Sequence, residues 1–402
     1  MSKLDEIPAH VPPELVVDID VYALPAGDID AQLGWRTFAE HADKGPLVYS
    51  PYNGGHWVVT VPEDIPRFQR DNKNFANKVI TLPDRPGPRL VPLEADPPNH
   101  AAYRRNVLPI FAPGRLKQLE PGIRALTVEL VEGLQPKGGC DFISDFALKL
   151  PIIVFLQIMG LPQHDGTHLN SLVDTFARSP DVNMKMQALG EMSAYVDSAI
   201  KERLREPRDD AITHITQAQI DGRPYTREEM LSTLTLLALG GLDSVAMHIS
   251  FIALYLARHP EQRAYVRDHL DDLGPVIVEF ARRFPIAQMM RQVLHDYEHG
   301  GVTMKEGDMV AIPAALYNLD EAIFGNAADV DFSRPGGKLH LTFGTGPHAC
   351  VGSGLARLEV VIFLQEWLSR IPDFQVDPAV PVKCRSAITN AVDQLSLIWP
   401  TA

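Results

Sequence analysis

The stretch FGTGPHACVGSGLARLE, Phe343–Glu359, puts a thiol where a stiff turn meets a helical pattern. After Cys350 the apolar residues Val351, Leu355, Leu358, Ile362 and Leu368 repeat as one buried helical face. Cys350 is therefore expected at a helix N-terminus. There, unpaired backbone N–H groups and the helix dipole favour a thiolate, which is the nucleophilic and metal-binding form of cysteine. Gly344, Gly346 and Gly352 let backbone pass close to something flat or bulky. A lone cysteine beside a turn is more often an inert core thiol. The spacing Phe343, Gly346, Cys350, Gly352 sets this one apart.

Three other groups carry residues able to do chemistry. Thr226–Pro260 reads as one long helix, opened by a Thr226/Glu229 capping box and stopped at His259–Pro260. At 1.5 Å per residue it would run ~45–50 Å, enough to cross a domain. Its centre breaks local rules: Gly240 and Gly241 each cost roughly 1 kcal/mol relative to alanine, and Asp243–Ser244 interrupt an apolar run. Such a conflict in a buried helix points to a functional site. Glu279 and Arg282, three apart, share a helix face, as an ordinary surface ion pair also would. His100 and Arg104, four apart, project from one side of another helix.

These groups must be positioned by a large, mostly helical body. Helical patterns dominate from about Ala101 to Arg283, with breaks at proline and glycine. Strand-and-loop text follows, and a last helix runs from Cys350 to near Ile371. The stretch Leu82–Pro98 holds six prolines and cannot be helical. Residues 1–30 are rich in Pro and Asp and are expected to lie extended on the surface. No repeat or linker divides the 402 residues, so one domain, 1–402, is expected. The chain is 45% hydrophobic with a net charge of −14, which disfavours nucleic acid and anionic membranes as partners. Three cysteines argue against a disulfide framework. No cationic-then-apolar start and no uninterrupted apolar run long enough for a bilayer are seen, so a soluble, cytoplasmic protein is expected.

Phe343, Gly346, Cys350 and Gly352 match F-x-x-G-x-x-x-C-x-G, and the chain resembles the cytochrome P450 family, in particular the soluble bacterial branch of camphor and other terpenoid hydroxylases. The order Arg104, the Asp243 helix, Glu279/Arg282, Arg334, Cys350 is the family's order. The resemblance implies a mainly α fold with small β-sheets, in which a long central helix crosses a haem b. Cys350 would be its axial thiolate and metal ligand, a strong donor that favours O–O cleavage. Phe343 and Gly346 would shape the cysteine loop. His100, Arg104, Arg291 and His348 would hold the haem propionates, a sensible charge pairing. Asp243 and Ser244 would pass protons to bound oxygen, with serine where the family usually has threonine. Glu279, Arg282 and Arg334 would form a buried scaffold triad.

The implied activity is a monooxygenase that hydroxylates a small hydrophobic substrate with O2. Thr81, Leu236, Leu239, Gly240, Ala287, Ile388 and Thr389 would face it, and they are small or apolar. The loop Leu82–Pro98 lacks the tyrosine that camphor-binding relatives use, so a terpenoid or norisoprenoid other than camphor is the expected class. No nucleotide or flavin motif is present. Electrons would come from a ferredoxin and its NAD(P)H-dependent reductase, docking on a basic patch of Arg104, Arg105, Lys338 and Arg357 on a monomer. Two other readings stay open: a haem-thiolate peroxygenase, and a haem sensor or carrier without turnover.

Overall fold

The computed structural model describes residues 6–26, 34–79, 81–334 and 340–401. The helices that matter for the site are α1 (His100–Val107), α2 (Pro113–Leu134), α3 (Lys149–Met159), α4 (Gly166–Arg178) and α5 (Val182–Arg205). They continue with α6 (Arg227–Gly241), α7 (Ser244–Arg258), α8 (Gly274–Arg283) and α9 (Ser353–Arg370). Their ends follow from sequence. Pro113 opens α2, and Gly160, at φ 72°, closes α3 in the left-handed region. The Thr226/Glu229 capping box closes reciprocally at the start of α6, at 3.2 and 2.8 Å.

The expected single helix over Thr226–Pro260 is thus two helices with Leu242–Asp243 between them. Ala246–Ala257 of α7 are buried all round, and α9 packs along α2 with Trp367 fully enclosed. By length and composition Arg227–Arg258 could cross a membrane, contrary to the expectation that no such stretch exists. Here its apolar surface is spent inside the protein.

A five-stranded sheet lies at the other end: β1 (Leu47–Ser50), β2 (His56–Val59), β3 (Phe75–Ala76), β4 (Met289–Val293) and β5 (Met309–Ile312), in the order β1-β2-β5-β4-β3. β2 and β5 are parallel, with Val310 opposite Trp57; the other pairs are antiparallel, and Val310 also faces Arg291. All four residues of β2 are buried, since both faces of the sheet are covered.

The N-terminal segment does not lie on the surface as expected. Val11, Leu15, Val17, Val21 and Leu24 are buried in the sheet-side core, and Val17 N–H donates to the Tyr49 carbonyl at 2.9 Å. Prolines and aspartates keep this segment from forming long elements, but its apolar residues still find cover. Lys338 lies outside the described residues.

Candidate active site

Glycines set the path of the cysteine loop. Gly344 has φ 66°, and a side chain there would sit 2.2 Å from the Met289 methyl. Gly346 has φ 76°, and a side chain there would come within 3.2 Å of Arg70 Cγ. The loop closes with Cys350 N–H donating to the Phe343 carbonyl at 2.8 Å and Ala349 N–H to Gly346 at 3.1 Å. The ring of Phe343 carries the Arg357 guanidinium at 5.2 Å.

Cys350 precedes α9, which begins at Ser353, rather than sitting on its first turn. Burial is the largest influence on its thiol and pushes the pKa up; the N–H groups of Gly352 and Ser353 and the charge of Arg104 only partly oppose it. The backbone N–H groups favour a thiolate, as the sequence leads one to expect, while burial opposes it. Cys350 is nonetheless accessible. A metal bound at this accessible thiol would remove its proton.

The two mid-helix glycines have different jobs. A side chain at Gly240 would meet nothing within 4 Å, whereas one at Gly241 would strike the Phe155 ring at 2.3 Å. The sequence reading took both as one break at a functional site; Gly241 belongs instead to the packing of α6 on α3. Leu236, Leu239 and Gly240 keep exposure, while Leu237 and Ala238 beside them are buried. Gly240 also accepts a hydrogen bond from Ser244 Oγ at 3.2 Å.

Asp243 is buried and held at both oxygens by Arg178, at 3.1 and 2.5 Å. Arg178 donates as well to Asp174 at 2.6 Å, and Asp174 meets Arg385, which pairs with exposed Asp393 at 2.7 Å. Burial alone would pull the Arg178 pKa down; Asp243 and Asp174 outweigh it and raise it. Sequence reasoning missed Arg178. Its only local signal is a cation ending an amphipathic helix before Ser179–Pro180.

At the rim, the rings of His100 and His348 lie 4.1 Å apart, tilted at 44°, and the Nε2 atoms of both are buried without a partner among the described residues. Arg291 is buried and, among the described residues, donates only to the Met290 carbonyl at 2.8 Å and the Met289 sulfur at 3.7 Å. Burial pulls its pKa down to about 10, with Asp96 acting the other way. The His348 pKa falls to about 3, through burial first and then His100, Arg291 and Arg104. Arg104 donates to the Ala349 carbonyl, which ties α1 to the cysteine loop. Two imidazole nitrogens without a partner among the described residues, beside Arg104 and Arg291, mark a place for an anion.

The remaining expected residues fall as follows. Ala287 is exposed within a buried segment and forms a β-bridge with Thr389, and Ile388 accepts from Gln288 N–H at 2.9 Å. Thr81 is buried and donates to the Pro83 carbonyl at 3.2 Å. Glu279 accepts from Arg282 at 2.8 and 2.7 Å and from Arg334 at 3.2 and 3.3 Å. It also receives Asp331 N–H at 2.9 Å, so the triad is closed on itself. Glu359 of α9 has no such company, and burial alone lifts its pKa to about 8.

The fold and this site define a class, and comparison with known proteins agrees. The family model described as Cytochrome P450 matches residues 169–386. The probable cytochrome P450 127A1 of Sinorhizobium fredii is 33% identical over 410 residues, covering 99% of this chain and 98% of its own. The crystal structure of CYP101J2 superposes with a TM-score of 0.89 at 32% identity, and that of CYP101C1 with 0.87 at 35%. Each covers 98% of this chain and 100% of its own. The chain belongs to the cytochrome P450 family. It is a monooxygenase, an oxidoreductase that carries haem b on an axial cysteine thiolate. The residues present fit that group: an accessible thiol, open space at Gly240, and orphaned Nε2 atoms beside two arginines.

Proposed function

We propose that Cys350 is the iron ligand of a monooxygenase that hydroxylates a small hydrophobic molecule, a terpenoid or norisoprenoid. The observation that carries this reading is the accessible thiol beside buried, partnerless donors. His100, Arg104, Arg291 and His348 hold the carboxylates of the haem, while Phe343 and Gly346 fix the loop around the sulfur. Haem, when bound, supplies oxygen activation and C–H hydroxylation.

The protein's own residues orient substrate and deliver protons. Leu236, Leu239 and Gly240 line one side of the substrate space, with Thr81, Ala287, Ile388 and Thr389 around it. Ser244 Oγ, whose one proton goes to the Gly240 carbonyl, turns from that carbonyl to donate into the gap at Gly240. Asp243 replenishes it from solvent. Both of its oxygens are engaged by Arg178, so Arg178 must release at least one before the carboxylate can take a proton. Glu279, Arg282 and Arg334 act as scaffold.

Electrons come from a ferredoxin with its NAD(P)H-dependent reductase, and the protein works as a soluble cytoplasmic monomer forming one domain. The docking face lies on the cysteine side. Arg357 is exposed there, and Arg70, also exposed, donates to Thr345 on the cysteine loop at 3.1 Å. Arg105 contributes less than expected, since Asp221 pairs with it at 3.2 Å. On an otherwise acidic chain such a patch attracts an acidic partner with marked salt dependence.

The test is a spectral titration of the holoenzyme with terpenoids and norisoprenoids, reading the spin-state shift as substrate displaces iron-bound water. Saturable shifts by this class and none by long-chain fatty acids are expected; the reverse pattern removes the substrate assignment. Ser244→Ala should keep the shift but release peroxide at the expense of product. Unchanged product per NAD(P)H would exclude the hydroxyl as the proton donor.

A further inference from the structure

The haem reading leaves one rim residue without a role. Asn77 follows β3, is 2% exposed, and none of its side-chain bonds reaches solvent. Its Nδ2 donates to the Leu93 carbonyl and lies 3.1 Å from His348 Nδ1. Its backbone N–H donates to Asp96 Oδ1 at 2.9 Å, and its Oδ1 is buried without a partner.

These contacts fix the orientation of the amide. An amide nitrogen only donates, and it has two hydrogens. One goes to Leu93 and the other to His348. Turning the amide over would press Oδ1 against the Leu93 carbonyl, acceptor against acceptor, and would forfeit that bond. His348 Nδ1 must therefore accept. It carries no proton, so the proton of the neutral ring sits on Nε2. That atom is the buried one without a partner.

We propose that Asn77 is a positioning residue: it sets His348 as an Nε2–H donor aimed at a haem carboxylate, and through Leu93 it ties that grip to the substrate-facing loop. The proposal rests on the reading of His348 as a carboxylate donor. It adds the residue that chooses the tautomer and holds the ring plane. The logic is that of a histidine whose outward nitrogen is specified by the partner of its other nitrogen. The Asn77 side chain joins His348 to Leu93 of the proline-rich stretch after Leu82, and its backbone N–H holds Asp96 of the same stretch. Loosening the loop and loosening the histidine are then the same event.

The test needs no turnover. In the reduced carbon monoxide complex of the holoenzyme, nitrogen NMR of 15N-histidine reads the His348 tautomer directly. The expected result is a protonated Nε2 and a bare Nδ1; a proton on Nδ1 overturns the proposal without any variant. Asn77→Asp puts an acceptor where the donor stood and should move the proton to Nδ1; an unmoved proton counts against Asn77. Haem transfer to apomyoglobin gives the second readout. Asn77→Leu should speed haem loss on the order of tenfold, the usual size for removing a partner behind a ligand-holding histidine. His348→Leu should do at least as much. If His348→Leu speeds loss and Asn77→Leu changes it by less than about twofold, the positioning role is wrong and the haem reading stands. If neither variant matters, His348 does not hold the haem, and both fall.

Discussion

The scaffold triad and the rim of the site are both buried clusters of charge, and they are built in opposite ways. At Glu279 every oxygen is used: Arg282, Arg334 and Asp331 N–H converge on one carboxylate. At the rim, among the described residues, His100 and His348 each keep a buried Nε2 without a partner, and Arg291 is satisfied only by a carbonyl and a sulfur. A cluster complete within the chain holds the fold. A cluster that is incomplete within the chain is completed by what it binds. The proposed relay pair is a third kind: Asp243 is complete, yet its partner Arg178 also belongs to a line of ion pairs reaching exposed Asp393.

The contrast can be broken most severely at the triad. Glu279→Ala leaves two buried arginines without their carboxylate, at a cost of roughly 3–5 kcal/mol. Chemical denaturation should show that loss, and haem loading should fall with it. A stable, haem-loaded but inactive variant would make Glu279 part of the chemistry instead.

Lys185 on α5 lies between the two extremes. It is 1% exposed and, among the described residues, finds only the Tyr22 hydroxyl, at 2.5 Å, and the face of the same ring, at 4.4 Å. Burial lowers its pKa from 10.5 to about 8. Between those values the unfolded chain binds more protons than the folded one, so stability rises as pH climbs from about 8 toward 10.5. Lys185→Met should flatten that rise. It should gain about 1–3 kcal/mol at neutral pH and almost nothing in strong base, after allowing for the lost Tyr22 contact. A gain that does not shrink with pH would mean the ammonium is already compensated.

The paired glycines sharpen the comparison at smaller scale. Gly241→Ala forces a methyl into Phe155 and should cost about 1–3 kcal/mol. Gly240→Ala enters open space and should cost nothing, or gain up to about 1 kcal/mol from helix propensity, while weakening ligand binding. Equal stabilities for the two variants would remove the distinction between packing and opening.

Much of this was legible where chemistry is carried by neighbours in sequence. The turn before Cys350, the interruption at Asp243–Ser244 and the Glu279/Arg282 pair are local patterns with local consequences. Arg178, Asn77 and Arg70 were not legible. Each acts on a residue 65 or more positions away in the chain, and nothing in its own surroundings marks it. The split between Gly240 and Gly241 was hidden for the same reason, because the difference is a ring on α3. The N-terminal segment misled in another way: its Pro and Asp content describes its backbone, whereas the burial of Val17 and Val21 is decided by the sheet it meets.

The central claim, that the thiol of Cys350 is the iron ligand, is tested most directly by the Soret band of the reduced carbon monoxide complex. Cys140→Ser and Cys384→Ser should keep the thiolate-type band, since their thiols pack against the helical core. Cys350→Ser should abolish it even where haem is still bound. A thiolate-type band retained by Cys350→Ser would contradict the account.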